Sequence, residues 1–97
     1  MDFSDALREI RSGKKVFRYG WNGKGLFIFF QKGYPDGIIA NANTQEALGL
    51  MEGAIVKVPP YLMIRDIKNG SIISWVPSQS DLMADDWFLF SETVEPK

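Results

Sequence analysis

The chain is 97 residues long, with 45% hydrophobic, 13% aromatic and 24% charged residues. That balance excludes a disordered chain and leaves room for a single domain, residues 1–97, around one modest core. There is no His and no Cys, which removes Ser–His–Asp triads, imidazole proton shuttles, His-held zinc, thiolate nucleophiles and disulfides. Eleven basic against twelve acidic residues give a net charge of −1, and no basic run exceeds Lys14-Lys15, so the clustered cations that hold nucleic acid are missing.

The opening Met1-Asp2-Phe3-Ser4-Asp5 lacks the basic region and apolar stretch of a signal peptide, and the longest apolar run, Leu26–Phe30, is too short to cross a bilayer. A soluble intracellular protein with no membrane partner is expected. Phe3, Ala6, Leu7 and Ile10 recur at helical spacing, Asp2 is a cap and Gly13 a stop, which predicts a helix over residues 3–12. Residues 15–19 read as a strand. Gly20-Trp21-Asn22-Gly23-Lys24-Gly25 breaks it with a loop whose glycines admit positive φ and close approach by a ligand.

Leu26–Phe30 follows as a second strand. Five consecutive apolar residues imply burial on both sheet faces; the one good helix covers a single face, and the other needs more of the sheet curling over or another subunit, which argues for an oligomer. Pro35-Asp36-Gly37 reads as a turn, Asn41–Asn43 as loop, and Thr44–Leu48 as a short helix with Asn43 and Glu46 spaced as a capping box. Val56–Val58 is a brief strand. Asn69-Gly70 predicts a two-residue hairpin turn that sets Ile67 opposite Ile72 and Arg65 opposite Ser74. Ser78 or Ser80 caps a short helical turn, Trp87–Phe90 is a last strand, and residues 91–97 form a flexible tail. The sum is an α+β fold, an N-terminal helix on a mostly antiparallel sheet of about five strands.

Three groups of residues invite a chemical reading. Asp81, Asp85 and Asp86 form a carboxylate cluster, but the spacing lacks the pattern of a calcium loop. A capping Asp81 beside solvated turn carboxylates accounts for it better than catalysis or a metal. Arg18, Trp21 and Asn22, with Gly23, combine a forked cation, a flat indole and an amide, suited to a phosphate-bearing base. Trp75 with Ser78, Gln79 and Asp81 offers a second indole beside a polar helix start. For both tryptophan groups a core Trp beside an ordinary turn is an equal competitor. Together they describe an uncharged, aromatic and amide-rich pocket, better suited to holding a small nucleotide than to breaking one.

The order of these blocks resembles the Thoeris anti-defence protein two family of small phage and prophage proteins. The matching stretches are Phe3–Leu7, Gly13–Arg18, Trp21-Asn22-Gly23-Lys24-Gly25, Pro60–Met63, Trp75–Leu82 and Asp85-Asp86-Trp87, while residues 31–58 match least. The resemblance implies a non-enzymatic sponge in the cytoplasm of an infected bacterium. It would bind a cyclic ADP-ribose-type immune signal, glyco-cyclic ADP-ribose, without cleaving it. It would need no cofactor and no metal, would assemble as a homotetramer, and would belong to a family with capacity for cyclic dinucleotides at a separate site. The residues expected to bind the ligand are Arg18, Trp21, Asn22, Gly23, Trp75, Ser78, Gln79 and Asp81. Direct inhibition of a host defence enzyme is the alternative, and a hydrolase built on Asp81, Asp85 or Asp86 comes third.

Overall fold

A computed structural model describes residues 1–21 and 23–91. In chain order the elements are α1 (Phe3–Arg11), β1 (Val16–Arg18), a 3₁₀ turn (Tyr19–Trp21), β2 (Leu26–Gln31), β3 (Tyr34–Ile39), α2 (Ala42–Leu48), β4 (Ile55–Val58), β5 (Tyr61–Asp66), β6 (Ser71–Ser74), α3 (Gln79–Met83) and β7 (Trp87–Leu89). The fold is α+β, and the chain parts into two compact units, Met1–Gln31 with Leu62–Lys97, and Lys32–Tyr61. The expected tail, Ser91 apart, lies outside the described residues.

The first unit is a five-stranded sheet ordered β6-β5-β2-β1-β7, with antiparallel pairing of β1 to β2, β1 to β7 and β5 to β6. Its helix forms as the spacing predicts. Asp2 caps α1 by accepting from the Asp5 N–H at 2.9 Å, and the apolar stripe buries Ala6 and Ile10 completely. Those two meet Val16, Ile28 and Trp87 in a fully enclosed core, with Phe3, Phe30, Leu62, Ile64 and Trp75 packed around it. Alternation along the strands sends Phe17, Phe27 and Phe29 to the opposite face. There the rings of Phe29, Phe27, Phe90, Phe17, Phe88 and Tyr19 form a ladder with successive centroids 6.2, 4.6, 6.1, 6.1 and 6.0 Å apart. Part of the cover expected from elsewhere is thus supplied by the chain itself. Phe90 and the Lys15 ammonium lie over Phe27, which is buried, while Phe88 and Tyr19 at the other end remain 49% and 72% exposed.

The β5–β6 hairpin corrects the expected register. Arg65 faces Ile72 and Asp66 faces Ser71, so the connection is four residues, Ile67–Gly70, and the pairing slips by two. Asp66 is the reason: its Oδ1 accepts from the Lys68 N–H at 2.9 Å, and its carbonyl accepts from the Gly70 N–H at 2.9 Å. This side-chain-closed turn outcompetes the tighter two-residue one. A slip of two leaves each side chain on its intended face, which is why the core survives it.

In the second unit β3 and β4 pair antiparallel, and α2 follows β3. Pro35-Asp36-Gly37 is not a turn. It lies inside β3 at an irregularity between Tyr34 and Ile38, where the missing proline N–H is tolerated. Gly37 sits at φ +110°, and a Cβ there would fall 2.6 Å from Cγ2 of Ile55. The α2 cap also differs from expectation. Asn41, two residues earlier than Asn43, accepts from the Thr44 N–H at 2.8 Å, so the helix opens at Ala42 and absorbs the segment read as loop.

Candidate functional site

Arg18 ends β1 and reaches two carboxylates from the far end of the sequence. Its Nη1 donates to Oδ1 of Asp81 at 3.0 Å and its Nε to Oδ1 of Asp86 at 2.8 Å. Asp86 also takes the Gly20 N–H on Oδ2 at 2.8 Å, and its carbonyl takes the Tyr19 N–H at 2.9 Å. It is therefore a brace for the 3₁₀ turn, not the solvated turn residue the sequence suggested. The guanidinium beside it, helped by the Gly20 N–H, holds the Asp86 carboxyl below the ordinary carboxylate range. Burial opposes the charge on Asp81, but the Ser78 N–H and Arg18 outweigh it and keep that carboxyl low as well. In turn Asp86 first, then Asp81, raises the Arg18 pKa.

Asp81 has a second task. Its Oδ2 accepts from the Ser78 N–H at 2.9 Å while its own N–H donates to Ser78 Oγ at 3.0 Å, a closed capping box for α3. Ser78, not Ser80, is the cap. The carbonyl of Asp81 accepts from Nε1 of the buried Trp87 at 3.1 Å. Around that indole gather Phe3, Trp21 and Trp75, with centroids 5.4, 5.4 and 6.0 Å from it. The two expected tryptophan groups are thus brought together by Trp87 in the core and by the Arg18–Asp81 pair beside it.

Trp21 rests against Trp87 on one side and lines a cavity of about 370 Å³ on another. Phe17, Leu26 and Phe90 complete its ring-rich wall. The glycine-rich loop contributes Gly23, Lys24 and Gly25, and the β5–β6 loop contributes Ile67 and Lys68. The loop is anchored where the Ile67 N–H donates to the Gly25 carbonyl at 2.9 Å. Gly25 takes φ +75°, and a Cβ on it would lie 3.6 Å from Cβ of Ile67 and 3.7 Å from Cγ of Lys68.

Of the eight residues expected from sequence, Trp21 and Gly23 line this cavity. Arg18, Ser78 and Asp81 form a polar knot that does not line it, Trp75 packs against the core, and Gln79 is exposed at the start of α3. Asn22 lies outside the described residues. Lys24, Lys68 and Phe90 escaped the sequence reading: Lys68 reaches the cavity only because the hairpin loop folds back onto Gly25, and Phe90 only because its N–H donates to the Lys15 carbonyl beside β1. Among the described residues no three His, Cys, Asp or Glu side chains stand close enough to hold a metal, and no helix is long and apolar enough to cross a membrane.

The molecule is thus a small α+β protein whose polar side chains brace a loop at the mouth of an aromatic cavity. Comparison with known proteins makes that class specific. A family model described as the Thoeris anti-defense 2-like domain matches residues 1–90. The protein named Thoeris anti-defense 2 from Bacillus phage SP01 is 34% identical over 93 residues, covering 94% of this chain and 96% of its own length. The chain belongs to the Thoeris anti-defense 2-like family.

Proposed function

We propose that this protein counters Thoeris defence by binding and sequestering a cyclic ADP-ribose-type signal, with glyco-cyclic ADP-ribose the leading candidate, in the cytoplasm of the infected host. Family membership supports the anti-Thoeris role. The observation that carries the sequestration reading is the position of the glycine-rich loop. Trp21, Gly23, Lys24 and Gly25, from one of the blocks on which the resemblance rests, are among the residues that wall the cavity. Stacking of adenine on Trp21 is worth ~1–3 kcal/mol by analogy with base–aromatic stacking elsewhere. Each 1.4 kcal/mol is about tenfold in affinity, so a sponge needs several such contacts.

Binding without cleavage fits the geometry. Arg18 and the N–H groups of Ser78 and Gly20 take all four carboxylate oxygens of Asp81 and Asp86, which leaves none directed at a substrate, and the lowered carboxyls are unsuited to act as general acids. The reading includes a homotetramer, and cyclic dinucleotides are secondary ligands within it. Calorimetric titration with glyco-cyclic ADP-ribose, then heat release and chromatography of the ligand, tests it. Tight binding with intact ligand recovered is expected, and a hydrolysed product would replace sequestration by catalysis. Trp21→Ala is expected to weaken binding more than Trp75→Ala, since both indoles pack on the core but only Trp21 also lines the cavity.

The exposed end of the aromatic ladder, Tyr19 and Phe88, favours a second reading in which the chain blocks a host defence enzyme directly. A stable complex with such an enzyme, together with no heat on titration with the cyclic nucleotide, would select it.

A further inference from the structure

We infer that Lys24 and Lys68 hold the diphosphate of the ligand at the mouth of the Trp21 cavity, and that Arg18 is a positioning residue that does not touch it. The inference rests on the sequestration reading and names the anion-holding residues of that same site.

Arg18 was the obvious phosphate ligand in the sequence, but its charge is already answered twice. Two carboxylates take its Nε and Nη1, and its side chain is only 20% exposed. A phosphate arriving there would meet two anions and would have to displace one of them. Asp81 cannot leave without opening the α3 capping box, nor Asp86 without releasing the Gly20 N–H. Arg18 therefore acts on the ligand through the 3₁₀ turn that carries Trp21.

Lys24 and Lys68 stand in the opposite situation. Both are exposed, both line the cavity, and neither enters an ion pair among the described residues. They arrive from different elements, the loop after the 3₁₀ turn and the loop between β5 and β6, which meet at the Ile67–Gly25 hydrogen bond. The Lys68 stem runs beside Gly25, where its Cγ and Cε would lie 3.7 and 4.0 Å from an added Cβ. Those are ordinary van der Waals distances, and what favours glycine at this position is its φ of +75°.

The lining thus divides by chemistry. Phe17, Trp21 and Phe90 supply ring surface for a planar base, and two uncompensated ammonium groups supply charge for adjacent phosphates. The volume is within the range of small-molecule sites. The ligand class this fits carries a planar base and a diphosphate on one compact molecule. A neutral nucleoside would leave the cations unused, and an inorganic anion would leave the rings bare.

The test is calorimetric titration of the full chain with glyco-cyclic ADP-ribose and, separately, with ADP as a plain diphosphate bearing the same base. The variants are Lys24→Gln, Lys68→Gln, the double Gln variant and the double Arg variant. Lys57→Gln on β4 of the other unit is the charge-matched control. Each single Gln variant is expected to weaken binding by about tenfold and the pair by more, with the double Arg variant largely restored, since a charge-assisted contact is lost and then replaced. Salt should weaken the wild type and leave the double Gln variant nearly insensitive. Unchanged affinity in the double Gln variant overturns the inference while sequestration stands. Lysine-dependent binding of ADP without binding of the cyclic nucleotide keeps the anion site and overturns the sequestration reading. No binding of either probe overturns both.

Discussion

In the unit formed by Met1–Gln31 and Leu62–Lys97, the side chains of Ala6, Ile10, Val16, Ile28 and Trp87 are wholly enclosed, whereas within Lys32–Tyr61 the buried hydrophobic residue is Ala40. The second unit exposes most of Tyr34, Ile39, Leu48, Met51 and Ile55. Enclosing a large apolar side chain is worth roughly 1.5–3 kcal/mol, so the first unit draws its stability from side chains. The second, about thirty residues long, is below the size at which a chain supports its own core and relies on its strand ladder and helix caps. The lesson concerns where precision matters. In one unit the shape of a side chain decides, and in the other the conformation of the backbone does.

The largest effect of a single change is expected at Trp87. Trp87→Ala removes the indole at the centre of the core and is expected to cost ~3–5 kcal/mol, a large part of a small domain's stability. Leu48→Ala, on a side chain 64% exposed, is expected to stay within about 0.5 kcal/mol. Urea denaturation followed by circular dichroism reads both, and equal costs would erase the distinction. Next in size is Gly37→Ala, where φ +110° and a 2.6 Å approach to Ile55 cost roughly 1–3 kcal/mol of strain. Hydrogen exchange should show that loss in the amides of β3 and β4 while those of α1 keep their protection.

Ser78→Ala is smaller, about 1 kcal/mol for a lost cap. It sharpens the comparison because the same change at Asn41, whose side chain caps α2 without a partner carboxylate, should cost no more and should leave Arg18 undisturbed. The smallest effect is that of acid. Asp81 and Asp86 have folded pKa values below their unfolded ones, so their contribution is whole above the unfolded value of about 3.9 and is lost as pH falls through the folded values. The urea midpoint should be flat above about pH 5 and decline below about pH 4. Arg18→Gln should shallow that decline, and an unchanged acid limb would separate the carboxylates from Arg18.

How much the sequence disclosed follows the same division. The α1 stripe of Phe3, Ala6, Leu7 and Ile10 was legible because helical spacing and a capping Asp2 are local signals, and the structure reproduces them. The family resemblance was legible from ordered blocks that lie mostly in the first unit. Backbone devices were not. Pro35-Asp36-Gly37 reads as a turn, and only pairing with the partner strand makes it an irregularity inside β3. Asn69-Gly70 carried the local signal for a short turn, but the Asp66 carboxylate captured two N–H groups and widened the loop. At the candidate site, Trp21 and Gly23 are legible as candidates, with a core Trp beside an ordinary turn as the equal competitor, and the cavity lining decides for the site. Lys68 becomes a cavity residue only through that wider loop, and Asp86 becomes a brace only once residue 86 is beside residue 20.

That last juxtaposition bears on how the molecule is made. The strand that carries Trp87 pairs with β1, so the core's central side chain is supplied by a segment synthesised long after the helix it packs beneath. Closing so wide a span costs chain entropy before any contact repays it. During translation α1, β1 and β2 must wait without their keystone, and the core of this unit can close only once the strand carrying Trp87 has been made. A premature stop a few codons before residue 87 would therefore yield an unfolded chain rather than a slightly shortened protein.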